Sequence, residues 1–263
     1  MLKNINNPSE ILDHVRKKGY IIFDNAFETS LFDNISNFWI NFFGKNNKNK
    51  FKSRDIYGSS RSLGDLNYSS FRNNSELVMY RTTEYPWNVS MHDPTRKLIC
   101  EMNKVRNLAL GLDIHHGSLY EPHSQVSFNQ INCYPAGRGK MFAHKDTPHD
   151  KLLLSCMFNV TIKKTHFEEG GLYLMINGEK IYVDDYMKPC SVIFYNGNLI
   201  HGVDKILSNS DIGRIAGYPM KQFFLSNNKL PTYLKTLIRI DNGIKRKLKL
   251  KSHSKQGNSA LEE

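Results

Sequence analysis

Apolar residues recur along this chain with two different periods, and the pattern changes near residue 124. Ahead of that point it is mostly helical. Residues 9–19 begin with a potential capping Ser9 and end at Gly19, which predicts a short helix. Residues 20–24, starting Tyr20-Ile21-Ile22-Phe23, predict a buried strand. A second helix is expected over 30–43, where Leu31, Phe32, Ile35, Phe38, Trp39 and Phe42 form one apolar stripe that reads as core packing. A third is expected over 94–112, with Pro94 at its start and Leu98, Met102, Val105, Leu108, Leu110 and Leu112 as its apolar set. Between the last two lies a polar, basic stretch, 44–68, without usable periodicity; it reads equally as a lid or substrate loop and as disorder. A strand-like run follows at 77–81 and ends on Arg81, read first as a surface ion pair and second as a clamp for a substrate carboxylate or phosphate.

Beyond residue 124 the runs are short and strand-like: 124–134, 141–144, 152–160, 171–176, 181–183, 191–195 and 214–225. Ala136-Gly137, Asn177-Gly178 and Asn196-Gly197 supply turn signals among them. Such lengths and turns fit two packed antiparallel sheets. The expected fold is therefore mainly β with flanking α: a double-stranded β-helix, or jelly-roll, over 125–226, buttressed by the helical and lid elements of 1–124. One domain spans 1–243 in this reading, closed by an amphipathic helix at 229–240, and residues 244–263 form a basic tail.

Candidate chemistry gathers in this β-rich half. His144 and Asp146 stand two apart, so on an extended strand both side chains point to one side. His201 follows the apolar run at 191–195 and is placed to return a third ligand from a neighbouring strand. Two imidazoles and one carboxylate on one face of a metal leave open positions, which suits non-haem Fe(II). Arg214, thirteen residues after His201, carries a planar fork able to hold a carboxylate through two hydrogen bonds. Taken singly, each histidine reads as a surface or core residue, since the chain has ten of them. The ordered set carries the signal. His123 and His149 lie nearby without a carboxylate at strand spacing and are not read as ligands.

This order, His144-x-Asp146, then His201, then Arg214, resembles the Fe(II)/2-oxoglutarate-dependent dioxygenases over roughly residues 128–220. The resemblance implies that His144, Asp146 and His201 hold Fe(II) and that Arg214 meets the far carboxylate of 2-oxoglutarate, with O2 as the second co-substrate. It also implies a part for Asn132 and Tyr134 on the preceding strand in holding that co-substrate; the plain alternative is that Tyr134 is sandwich core. The chain departs from one variant of the pattern, in which the arginine is followed two residues later by serine. Here that position is Ala216, so a second carboxylate contact has to come from elsewhere, and Arg138 is the reserve cation. Halide-transferring members of the family lack the carboxylate, whereas this chain keeps Asp146, which implies hydroxylation.

Composition changes the picture little. Hydrophobic residues at 40% and aromatics at 11% describe a globular chain. Cys100, Cys133, Cys156 and Cys190 are widely spaced and read as small buried hydrophobes. With no secretory apolar core at the start and no run of membrane-spanning length, the expected location is cytoplasmic, with no membrane partner. The net charge of +11 has an address: nine Lys or Arg against the single Asp241 between Lys229 and Lys255, and five more between Lys45 and Arg54. A nucleic-acid partner is possible on that charge but not favoured, because the tail lacks the interleaved aromatics that stack bases. The expected activity is hydroxylation of a small polar metabolite, a free amino acid or natural-product precursor, with succinate and CO2 as co-products. A macromolecule-modifying oxygenase and a non-catalytic cupin-like binding protein are the alternatives, and the oligomeric state is left open.

Overall fold

In the computed structural model, residues 2–5, 7–44, 68–84, 90–118, 125–146, 154–209 and 211–224 are described, with side chains described for all but 68–72, 125–126 and 221–224 of these. The basic stretch at 45–54, the expected lid, the helix at 229–240, the tail, His123 and His149 therefore lie outside the described residues.

Helix α1 (Pro8–Lys18) runs into β1 (Tyr20–Phe23), followed by α2 (Thr29–Phe43), β2 (Tyr68–Asn73), β3 (Leu77–Glu84) and α3 (Asp93–Ala109). The remaining strands are β4 (Gln125–Tyr134), β5 (Lys140–His144), β6 (Leu154–Asn159), β7 (Glu169–Ile176), β8 (Glu179–Tyr182), β9 (Val192–Asn196), β10 (His201–Leu207) and β11 (Arg214–Phe224). Two of these are absent from the sequence reading: β2, and β10, the strand that opens on His201. Ser9 lies inside α1 rather than capping it; the cap position is Asn7, whose Oδ1 accepts the Ser9 hydroxyl at 2.6 Å. Leu108 of the expected α3 stripe is exposed, while Arg106 takes an inward position.

The strands form the two antiparallel layers of a jelly-roll. One layer runs β1-β9-β6-β11-β4-β3, with β2 on the far side of β3; the other runs β5-β10-β7-β8. Strand β3 joins them, since Leu77 and Val78 pair with β5 while Tyr80–Glu84 pair with β4. Asn177 and Gly178 both take positive φ in the two-residue turn between β7 and β8, the primed-turn geometry that matches strand twist.

Alternation along the first layer explains both faces. Cys133 and Ile131 of β4, Ile215 of β11, Phe158 and Cys156 of β6, and Phe194 and Val192 of β9 face the helices, in one cluster with Ile11, Ile35, Trp39, Ile99 and Met102. The intervening Tyr134, Met157 and Ile193 face the second layer and pack with Leu172, Leu174, Val203 and Ile206. A layer covered on both sides reads as a continuous apolar run, which is the pattern of β6 and β9. Strands β4 and β11 differ: their inward positions carry Asn132, Tyr134, Arg214, Ala216 and Tyr218. That polar stripe inside the barrel is where the site lies.

Candidate metal centre

Strands β5 and β10 pair with His144 directly opposite His201. Asp146, two residues past His144, is held by its backbone N–H, which donates to the Gly197 carbonyl at 3.1 Å. One ligand atom from each of the three residues lies within 4.8 Å of the others. The Asp146 Oδ1 is 3.9 Å from His144 Nε2 and 3.8 Å from His201 Nε2. The three residues picked out by spacing are thus brought together in space.

The ring tautomers follow from the neighbours. Nδ1 of His144 lies 3.0 Å from the Phe142 carbonyl, and Nδ1 of His201 lies 2.9 Å from the Leu199 carbonyl. A carbonyl only accepts, so each Nδ1 carries the proton and each Nε2 turns its lone pair toward the common centre. Burial holds the His201 imidazole below its ordinary pKa, against the pull of Asp146, which favours the neutral ring that a metal needs. Asp146 Oδ2 accepts the Ser155 hydroxyl at 3.3 Å, which leaves Oδ1 facing the imidazoles.

Behind this triad stand three phenols, Tyr195, Tyr218 and Tyr134, all shifted upward chiefly by burial. They stay neutral and can donate. Asn132 is fully buried and ties the group together: its Oδ1 accepts Arg81 Nε at 3.0 Å, and its amide donates to the Tyr218 hydroxyl. Tyr134, 5.9 Å by ring centre from the Arg214 guanidinium carbon, directs its hydroxyl to Met141 Sδ at 3.5 Å. Asn132 and Tyr134 therefore share the inward face with Arg214, and both are core residues as well.

Arg214 is buried, and its bidentate edge already has a partner. Nε donates to Asp184 Oδ2 at 2.5 Å, and Nη2 donates to Asp184 Oδ1 at 3.0 Å and to Asn159 Oδ1 at 3.1 Å. Burial alone would lower the guanidinium pKa, but the Asp184 carboxylate outweighs it and the net shift is upward. Asp184 is saturated, since it also accepts the Leu172 N–H at 2.7 Å and the Asn159 amide at 2.7 Å. The fork that the sequence reading reserves for a co-substrate carboxylate is closed on a residue of the chain, leaving Nη1 as the nitrogen without a hydrogen bond among the described residues. Arg138, the reserve cation, reaches the Tyr80 hydroxyl at 3.3 Å.

Sequence reasoning missed Asp184, Asn159, Ser155, Tyr195 and Tyr218, and it read Arg81 first as a surface ion pair and second as a clamp for a carboxylate or phosphate; the side chain is buried. Tyr218 had a readable signal, being four residues after Arg214 on one strand face. For Asp184 the nearest signal is the glycine pair Gly170-Gly171. A Cβ on Gly171, whose φ is +111°, would sit 2.4 Å from Asp184 Oδ2. Gly171→Ala is expected to cost about 1–3 kcal/mol from backbone strain alone, with the displaced carboxylate adding to it. Urea unfolding of the two proteins measures this; equal midpoints and slopes would refute it.

No protein-family model matches this sequence, and no curated protein matches it. Solved structures do. A prolyl-4-hydroxylase from Pseudomonas putida superposes with a TM-score of 0.52 at 11% identity, covering 82% of this chain and 100% of the other. The chain thus shares its fold with that prolyl-4-hydroxylase. A prolyl hydroxylase from Trichoplax adhaerens, solved with a hypoxia-inducible-factor peptide fragment, is similar at a TM-score of 0.49 and 12% identity, over 80% of this chain and 86% of its own. Among the described residues no helix is long and apolar enough to cross a membrane.

Proposed function

We propose that this chain is an Fe(II)- and 2-oxoglutarate-dependent oxygenase that hydroxylates a C–H bond of a small polar metabolite. The observation that carries the reading is the convergence of two Nε2 lone pairs and one carboxylate oxygen in a jelly-roll interior. Two neutral imidazoles and one carboxylate fit Fe(II), and three protein ligands leave coordination positions for a chelating co-substrate and O2. Bound there, the iron would supply oxidation of a C–H bond coupled to conversion of 2-oxoglutarate into succinate and CO2. The chain's own residues would hold and orient. His144, Asp146 and His201 would ligate, Ser155 and the two backbone carbonyls aim them, and the phenols of Tyr134, Tyr195 and Tyr218 offer hydrogen bonds. Asn132 and Tyr134 belong to the wall of the co-substrate pocket in this reading.

The substrate class extends the sequence reading of one catalytic domain over residues 1–243. It is tested by a substrate panel scored by succinate release, with free amino acids, nucleosides, sugars and methylated oligonucleotides side by side. Turnover confined to the oligonucleotides, steeply weakened by salt, would replace the metabolite with a nucleic acid. Failure of the anaerobically reconstituted protein to hold stoichiometric iron would leave the non-catalytic cupin-like alternative.

Asp146 sets the reaction type. Because the carboxylate occupies the position that halide-transferring members of the family leave open, product formed by the native protein in high chloride is expected to gain one oxygen. A chlorinated main product in mass spectrometry would overturn this assignment.

A further inference from the structure

The barrel interior holds two buried guanidinium groups of different charge status. Arg214 is neutralised by Asp184, whose side chain is 0% exposed. Arg81, 9% exposed, lies on the opposite flank, and no carboxylate pairs with it among the described residues. Its contacts are Asn132 Oδ1 at 3.0 Å and Met79 Sδ at 3.8 Å, both neutral. A buried cation without a counter-charge is costly; Arg106, buried on α3, offsets that cost with three neutral oxygens, from Pro219, Asn103 and Ser127, whereas Arg81 has one, from Asn132.

The register shows where that anion would sit. Asn159, Ala216, Asn132 and Arg81 lie side by side across β6, β11, β4 and β3. Arg214 precedes Ala216 by two residues on the same face of β11, and Arg81 lies two strands away from Ala216, beyond Asn132. Ala216 is also where a serine would otherwise offer a second contact to a carboxylate. Asn132 orients the Arg81 fork through Nε and at the same time donates to the Tyr218 hydroxyl, whose own proton has no acceptor among the described residues. Arg81 and Tyr218 are thus presented together as cation and donor, a matched pair for one carboxylate.

We propose that Arg81 supplies the positive charge that receives the far carboxylate of the co-substrate, a role from which Asp184 withholds Arg214. The inference rests on the oxygenase reading above. Arg214 then contributes position and at most one hydrogen bond through Nη1, while Tyr218 completes the contact with Arg81.

Calorimetry with Mn(II)-loaded protein separates the possibilities without turnover. The probes are 2-oxoglutarate, glutarate, which keeps both carboxylates but lacks the keto group, and pyruvate, which keeps the keto acid but lacks the far carboxylate. In Arg81→Met the affinity for 2-oxoglutarate is expected to fall about a hundredfold, as for loss of one partner of a buried charge pair, while that for pyruvate stays within about twofold of the native protein, since it makes no contact there. Thermal unfolding supplies the second readout. Glutarate should raise the melting temperature of the native protein and leave Arg81→Met unmoved, and in the absence of ligand the variant should be as stable as the native protein or more so. Unchanged 2-oxoglutarate binding, an equal loss for pyruvate, or a variant that unfolds readily without ligand would each overturn the assignment; the last would show Arg81 to be a structural support. Native protein that binds Mn(II) but no 2-oxoglutarate would overturn the oxygenase reading and this inference together. Native-like binding by the variant would overturn the inference alone.

Discussion

His201→Ala is expected to abolish the iron retention and co-substrate turnover proposed above while leaving the fold in place, the largest effect expected of any single substitution here. The imidazole is buried, its Nδ1 proton is committed to the Leu199 carbonyl, and Nε2 presents a lone pair on the side of Asp146. Alanine removes a third of the proposed ligand set. Even the groups that merely support metal ligands cost roughly 10–100-fold in metal affinity when removed, so loss of a ligand should exceed a hundredfold. The ring also fills space between β9 and β10, with Tyr195 5.7 Å away and nearly perpendicular to it, so a modest stability loss accompanies the change. Iron measured by plasma spectrometry after anaerobic reconstitution, beside circular dichroism, separates the two effects. His144→Ala should behave alike in iron, with a smaller stability loss, because His144 is less buried. A folded His201→Ala protein that keeps stoichiometric iron would show that the metal, if any, sits elsewhere.

Asp184→Ala is expected to be the most destabilising change in the barrel. It removes the carboxylate that receives both guanidinium donors of Arg214, the Asn159 amide and the Leu172 N–H. What remains is a buried cation with two neutral oxygen and sulfur neighbours, Asn159 and Met157. Breaking a buried pair from one side costs about 3–5 kcal/mol, which for a domain near this size lowers the melting temperature by roughly 10 °C. Asp184→Asn keeps the shape and part of the hydrogen bonding, and should fall between the two. Calorimetric melting of the three proteins at one pH checks the order. An Asp184→Ala protein that melts with the native one would mean the pair is not formed in solution, and Arg214 would again be free to meet a carboxylate.

The helices and most strands were legible because their signals are local. The α2 stripe of Phe32, Ile35 and Trp39 repeats every three to four residues and is buried as a unit. The alternating β4 run around Asn132 and Tyr134 needs no partner to be recognised. Strand β10 was not legible. Gly202, Asp204 and Lys205 interrupt its apolar pattern, and it becomes a strand because β5 and β7 supply hydrogen bonds on both sides. Likewise Pro219 sits in β11, a position that argues against a strand when read alone; its carbonyl is taken by Arg106 from α3 at 2.9 Å.

The residues of the site divide the same way. His144 and Asp146 could be paired from sequence because residues two apart on extended backbone point to one side; β5 ends at His144, and Asp146 lies just past it, tied by its N–H to the Gly197 carbonyl. The period of the chain likewise determined that the molecule is layered β with helices on one side. The fate of the charges was decided by the tertiary structure alone. Arg214 finds Asp184 from 30 positions away, and Arg81 finds Asn132 from 51. A charged side chain in isolation belongs in water, so Arg81 reads first as a surface ion pair until the strands close around it. Hydrophobic periodicity is a property of neighbours along the chain. Whether Arg81 or Arg214 keeps an unspent charge depends on partners brought together only by folding.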